Sequence, residues 1–217
     1  MQILLINSSP RKKESSTYFL AQAIIKFMSR TTSVSVTEED VTTLLQVDVE
    51  FSKSVTETEH NYDESVGSLA LSNQLISDLI DADLIIVTSP IHNFSLPSGL
   101  KSWVDHVVRA GKTFSIDPAG KKGLLKDKPV YVLASSGGRI LGENAYQPDF
   151  FTPYMKTILS TIGIDSVKFF VIESTAATND SMEDNINRIC EKLLKDVEGN
   201  LIEYSVSNSN IKNSQSL

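Results

Sequence analysis

Cysteine is almost missing from this chain. Cys190 stands alone among 217 residues, so no internal disulfide can form, and a reducing, cytoplasmic setting is the expectation. Long apolar runs are missing too. Strings such as Leu84 to Val87 fall far short of the ~18 residues of a membrane span. The opening MQILLINSSP turns polar too soon for a signal-peptide core. Positive charge is scarce: 20 Lys and Arg against 27 Asp and Glu leave a net charge of −7, a poor footing for nucleic-acid phosphates. There is no Gly-x-Gly-x-x-Gly, which argues against a tightly held dinucleotide. Three histidines, His60, His92 and His106, are scattered and far from Cys190, so no metal site is expected.

What remains is an ordinary globular composition, 41% hydrophobic, organised as strands alternating with helices. Gln2 to Ile6 reads as a first strand and Ser16 to Arg30 as a helix. Ser33 to Glu38 reads as a second strand at the sheet edge. Residues 40 to 65 form a surface excursion with room for a short helix, and Ser65 to Asp81 a helix. Leu84 to Val87 has the continuous apolar character of a strand buried on both faces. Ser89-Pro90 should end it, because proline cannot donate to a ladder. Pro97 suits the first position of a helix, whose stripe is Leu100, Trp103, Val104, Val107 and Val108 and whose close is Gly111.

An arm follows at 112–128, with Thr113 to Ile116 as a short strand. Pro129 to Ala134 is the fourth strand, Thr152 to Ile162 a helix ended by Gly163, and Ser166 to Ile172 the fifth strand. Ser181 to about Leu201 is the last helix. The alternation predicts an α/β fold with helices on both faces of a parallel sheet. Five strands suit the flavodoxin-like order 2-1-3-4-5, a three-layer sandwich, better than the six-stranded dinucleotide fold. One domain, 1–204, is expected, followed by a polar, disordered tail at 205–217.

In such a sheet the loops leaving the carboxyl ends of the first, third and fourth strands converge. The first carries Ser8, Ser9, Ser15, Ser16 and Thr17 and feeds a helix N-terminus, where free N–H groups and the dipole favour a phosphate. The same hydroxyls also suit a plain helix cap. The third loop, Pro90, Ile91, His92, Asn93 and Phe94, offers Asn93 as both donor and acceptor to a heterocycle edge. The fourth, Ser135, Ser136, Gly137 and Gly138, lets bare backbone approach a planar ring, although two glycines also make a tight turn. Together the three loops describe a site for flavin mononucleotide. Gly111-Lys112-Thr113 is not a phosphate loop: His106 stands where that motif needs glycine. The run Arg11-Lys12-Lys13 reads as solvated, with some power to attract a phosphate.

From Ser89 to Phe114 the chain reads SP-x-x-NF-x-x-PS-x-LK-x-W-x-D-x-V-x-RAG-x-TF. That block closely resembles the FMN-dependent NAD(P)H:quinone/azo reductases, the azoreductases of the flavodoxin-like superfamily. The likeness extends to Ser9 and Ser15–Thr17, to Ser135–Gly138, to Thr152–Tyr154 and to Gly163-Ile164, and thins over 40–65. It implies tightly bound FMN, NADH or NADPH as co-substrate, and two-electron ping-pong reduction of quinones and azo compounds. It also implies a homodimer with flavin sites at the interface. An electron carrier of flavodoxin type and an NAD(P)H-dependent FMN reductase are the alternatives. Three departures bear on the acceptor pocket: Ile91-His92 where the family commonly has Met-Tyr, Ser136 where it has arginine, and Thr161 near the place of a flavin-covering aromatic. No catalytic side chain is required; His92 is a possible proton donor.

Overall fold

The structure, a computed structural model, describes residues 1–56, 63–175 and 183–199. Its centre is a five-stranded parallel sheet in the order β2-β1-β3-β6-β7. The strands are β1 (Gln2–Asn7), β2 (Ser35–Asp40), β3 (Leu84–Pro90), β6 (Val130–Ser135) and β7 (Val167–Ile172). The expected arm is a hairpin of β4 (Phe114–Asp117) and β5 (Gly120–Gly123), a separate two-stranded sheet. Counting it turns the expected order 2-1-3-4-5 into 2-1-3-6-7. The helices are α1 (Ser16–Met28), α2 (Val49–Thr56), α3 (Gly67–Asp81), α4 (Ser98–Val107), α5 (Phe151–Thr161) and α6 (183–199). The expected tail, and the outer residues of the last helix, lie outside the described residues.

The inner strands carry continuous apolar runs, Ile3 to Ile6, Leu84 to Val87 and Val130 to Ala134, because both of their faces are covered. Successive side chains point to opposite faces, and β3 divides accordingly. Ile85 and Val87 pack in one buried cluster with Leu75, Trp103, Leu159 and their neighbours. Leu84 and Ile86 belong to a second cluster, with Leu20, Ile24 and Leu193. Edge strand β2 has no fully buried residue. It is aligned by its register with β1, Gln2 opposite Ser35 through to Asn7 opposite Asp40.

Around β3 and α4, three boundaries differ from the sequence reading. Strand β3 continues through Ser89 to Pro90, which sits opposite Ser135 at the strand's last position, where an N–H is not needed for the ladder. Pro97 is the cap of α4, extended at ψ 151°, and not its first helical residue. Helix α4 ends at Val107, before Arg109; Gly111, at φ +77°, makes the following turn.

The excursion is pinned to α4 by polar contacts. The carbonyl of Leu45 accepts from Ser102 Oγ at 2.7 Å and from His106 Nε2 at 2.9 Å. Gly99 lies so close to the short 3-10 turn Val41–Thr43 that an added Cβ would stand 2.0 Å from the Val41 carbonyl oxygen. Arg109, its side chain 6% exposed, donates to Asn73 Oδ1 at 3.0 Å and Glu64 Oε1 at 2.8 Å. The same guanidinium lies 5.7 Å from the centre of the Phe51 ring.

Candidate functional site

The site follows from where the parallel strands stop. Register sets Asn7 beside Thr88, and Pro90 beside Ser135, so the loops after β1, β3 and β6 leave from one edge. The first loop is stitched to its neighbour: the N–H and the hydroxyl of Ser8 both donate to the Thr88 carbonyl at 2.9 Å. Ser9, Ser15 and Thr17 are buried and Ser16 is half-buried. Ser15 is the N-cap of α1; its Oγ accepts from the Tyr18 N–H at 3.2 Å and lies 3.3 Å from Thr17 Oγ1. The capping role expected of these serines is therefore real. It occupies the Tyr18 amide and leaves those of Ser16 and Thr17, at the positive end of the helix, without a partner among the described residues. Lys12 of the basic run, at φ +49°, is paired with Asp40 at 2.9 Å.

The third loop is a two-residue reversal. Asn93 at φ +49° and Phe94 at φ +69° sit between His92 and Ser95, whose backbones exchange hydrogen bonds of 3.0 and 2.9 Å. That is the double positive φ of a type I′ turn. Asparagine tolerates it; phenylalanine there carries strain on the order of 1 kcal/mol or more. The turn lifts Phe94 to 43% exposure and leaves Asn93 and His92 open to solvent. Its base is held by the Ile91 N–H, 2.7 Å from the Ser135 carbonyl.

The fourth loop is tied from behind. The Ser136 N–H donates to Ile172 O at 2.8 Å, and Ser136 O accepts from both the N–H and the hydroxyl of Thr175 at 3.0 Å. No hydrogen bond among the described residues uses the N–H groups of Gly137 and Gly138. A Cβ on Gly138 would meet the Gln147 side chain at 2.5 Å. A side chain at 138 would have to displace Gln147 from the cleft wall.

The third and fourth loops share one cleft, with a cavity volume of ≈ 430 Å³, within the range of small-ligand sites. Ile91, Asn93 and Phe94 line one wall; Ser136, Gly137 and Gly138 line another. The serines and threonine of the first loop do not line it; they flank it at the same sheet edge. Thr161 lies at the opposite end of α5, its hydroxyl bonded to Thr157 O at 2.8 Å.

A family model described as a flavodoxin-like fold matches residues 1–197. The chain is 38% identical over 174 residues to FMN-dependent NADH:quinone oxidoreductase 4 of Pseudomonas fluorescens, covering 79% of this chain and 83% of that protein. The chain belongs to the FMN-dependent NADH:quinone oxidoreductase family. The FMN-dependent NADH:quinone oxidoreductase of Francisella philomiragia is 35% identical over 208 residues, 94% of this chain and 99% of that protein. Among solved structures, azoreductase from Bacillus anthracis superposes with TM-score 0.77 over 91% of this chain and 98% of that one, at 22% identity. An FMN-dependent NADH-azoreductase of the same species, in complex with FMN, gives 0.78 at 19% identity over 91% and 98% of the two chains. At such identities the likeness is one of fold.

In this oxidoreductase chain the sequence reading missed the third wall of the cleft, Ile140, Tyr146 and Gln147. The stretch 139–149 has no periodicity, and its shape is set by contacts distant in sequence. Glu173 Oε1 accepts from the N–H groups of Ile140 and Leu141 at 2.6 and 2.8 Å, and Arg139 O accepts from Tyr146 N and Gln147 N at 3.2 and 3.1 Å. Tyr146 is left 70% exposed at the rim.

Proposed function

We propose that this chain is an FMN-dependent NADH:quinone oxidoreductase that also reduces azo compounds. The observation that carries the proposal is the ≈ 430 Å³ cleft walled by the third and fourth loops, flanked at the same sheet edge by the hydroxyls and unpartnered first amides of α1. FMN suits the residues present. Ser9, Ser15, Ser16 and Thr17, with the first amides of α1, hold the phosphate. Pro90, Ile91, His92, Asn93 and Phe94 hold one rim of the ring. Ser135, Ser136, Gly137 and Gly138 hold the other rim, with amide donors aimed at developing negative charge. Bound FMN would supply two-electron redox chemistry between a nicotinamide donor and an acceptor that use the cleft in turn, a ping-pong order. The chain's own residues orient, shield and stabilise charge, and none need act as nucleophile. His92, exposed in the third-loop turn, is the candidate proton donor to the acceptor as it is reduced. We further infer one domain over 1–204 as a three-layer sandwich, a homodimer, and a cytoplasmic location. Supporting the last are the solitary cysteine and, among the described residues, no helix long and apolar enough to cross a membrane.

The test is purification followed by FMN titration and NADH oxidation with and without benzoquinone. The expected result is a yellow protein that consumes NADH only when the quinone is present. A protein that stays colourless with FMN overturns the reading, and a stable semiquinone without NADH oxidation makes it an electron carrier. Replacing Ser9 by alanine is expected to weaken FMN roughly tenfold or more, since a hydrogen bond to a charged group is worth ~1.5–3 kcal/mol. His92→Asn with an unchanged pH–rate profile removes the proton-transfer role.

A further inference from the structure

A second, larger cleft opens on the far side of the same wall that closes the candidate flavin cleft. Its cavity volume is ≈ 790 Å³. The two are separated by the 139–147 segment: Ile140 and Tyr146 line the first, while Arg139, Leu141 and Glu143 line the second. Ile140 and Leu141 are consecutive, about 3.8 Å apart at Cα, so the two clefts share a wall one segment thick at this point.

The chemistry of the second cleft differs from that of the chain as a whole. In a protein of net charge −7 it gathers three cations, Arg139, Arg188 and Lys192, against two carboxylates, Glu143 and Glu173. Glu173 is already engaged by the Ile140 and Leu141 amides. Arg139 and Lys192 make no side-chain hydrogen bond to another described residue. Arg188 spends one nitrogen on Asn185 Oδ1 at 3.0 Å, which steadies it while leaving other donors of its fork available. Planar guanidinium groups of this kind take phosphate oxygens in pairs.

We propose that this cleft receives the phosphate-bearing, adenosine end of the nicotinamide dinucleotide whose reactive ring enters the flavin cleft. The proposal rests on the oxidoreductase reading of the chain. Arg188 and Lys192 hold the pyrophosphate from α6, and Arg139 reaches it from the shared wall. The donor is then recognised by charge at one cleft while the acceptor, which lacks phosphates, uses only the other. Donor and acceptor can alternate in the flavin cleft without competing for the same polar contacts.

The experiment uses the FMN-loaded full chain and its Arg188→Gln/Lys192→Gln double variant, with Arg139→Gln as a second, independent variant. Calorimetry with ADP as the probe reads the cleft apart from catalysis. Binding to the wild type, weakened tenfold or more in the double variant and by raised salt, is the expected result. Steady-state kinetics then compare NADH with N-benzyl-dihydronicotinamide, which carries no phosphate. KM for NADH should rise tenfold or more at unchanged kcat, with kcat/KM for the phosphate-free donor the same in all forms. Absence of ADP binding to the wild type, or equal losses for both donors, overturns the proposal. If neither donor is oxidised by the wild type, the oxidoreductase reading fails instead, and the ADP titration still decides whether the cleft takes a phosphorylated adenosine.

Discussion

The inner strands and the edge of the sheet are built on different principles. Strands β1, β3 and β6 are buried on both faces, and each supplies residues to both hydrophobic clusters. Beyond the other edge of β1 the chain changes character. Strand β2 is half exposed, and the segment after it is held by individual polar contacts: Leu45 O with Ser102 and His106, Glu64 with Arg109 and Lys112, and Trp103 Nε1 with Glu39 Oε2 at 2.9 Å. The first region is stabilised by area removed from water, which is non-directional and tolerant of detail. The second depends on partners being present one by one, so a single loss leaves a buried polar group unpaired.

The contrast can be pushed hardest in the interior. Ile86→Ala, at a fully buried position, is expected to cost about 3–4 kcal/mol through lost transfer energy and the cavity left behind. Its effect should be independent of pH and salt, as read by urea unfolding.

Next comes Glu39, on the edge strand. Burial first, and then the nearby Asp78 carboxylate, push its pKa up to about 7; Oε1 is buried without a hydrogen-bond partner. The folded state therefore holds this proton more tightly than the unfolded chain. Stability contributed by the neutral form is present below the ordinary carboxylate pKa and is lost as pH rises to about 7. At ~1.4 kcal/mol per pKa unit the loss reaches up to about 3 kcal/mol. Glu39→Gln should abolish that slope, so melting curves of the two proteins should agree in acid and part at neutral pH. A parallel pair of curves would show that Glu39 ionises freely in the fold.

The smallest expected effect is at Arg109. Arg109→Gln removes a nearly buried cation from Glu64, which keeps Lys112 at 2.8 Å, and from the Phe51 ring. A loss of about 1–2 kcal/mol is expected, reduced by added salt. A loss as large as that of Ile86→Ala would erase the distinction between the two regions.

The same division explains what could be seen beforehand. Continuous apolar runs at 84–87 and 130–134, the 3.6-residue stripe of α4, and hydroxyls ahead of α1 all state their roles locally. The flavodoxin-like order and the three site loops follow from them. Residues 40–66 were legible only as an excursion. Val41, Leu44 and Leu45 are placed by α4, and no periodicity within the segment reveals that. Tyr146 and Gln147 were missed for the same reason: a carboxylate from the end of β7, Glu173, shapes their loop from 33 residues away. The turn at Asn93-Phe94 had half a signal, since asparagine favours positive φ and phenylalanine does not.

By itself, then, the amino-acid order determined which segments become strands, which helix faces turn inward, and that three polar loops gather at one edge of a parallel sheet. These are consequences of periodic burial, and periodicity is a property of neighbouring residues. Tertiary structure alone decided how the 139–147 wall is folded, that it divides two clefts, and which cations stand together in the second. Arg139 and Lys192 are 53 positions apart in the chain. Only the packing of α6 beside β7 brings them to one cleft, because electrostatic fields add in space and not along the sequence.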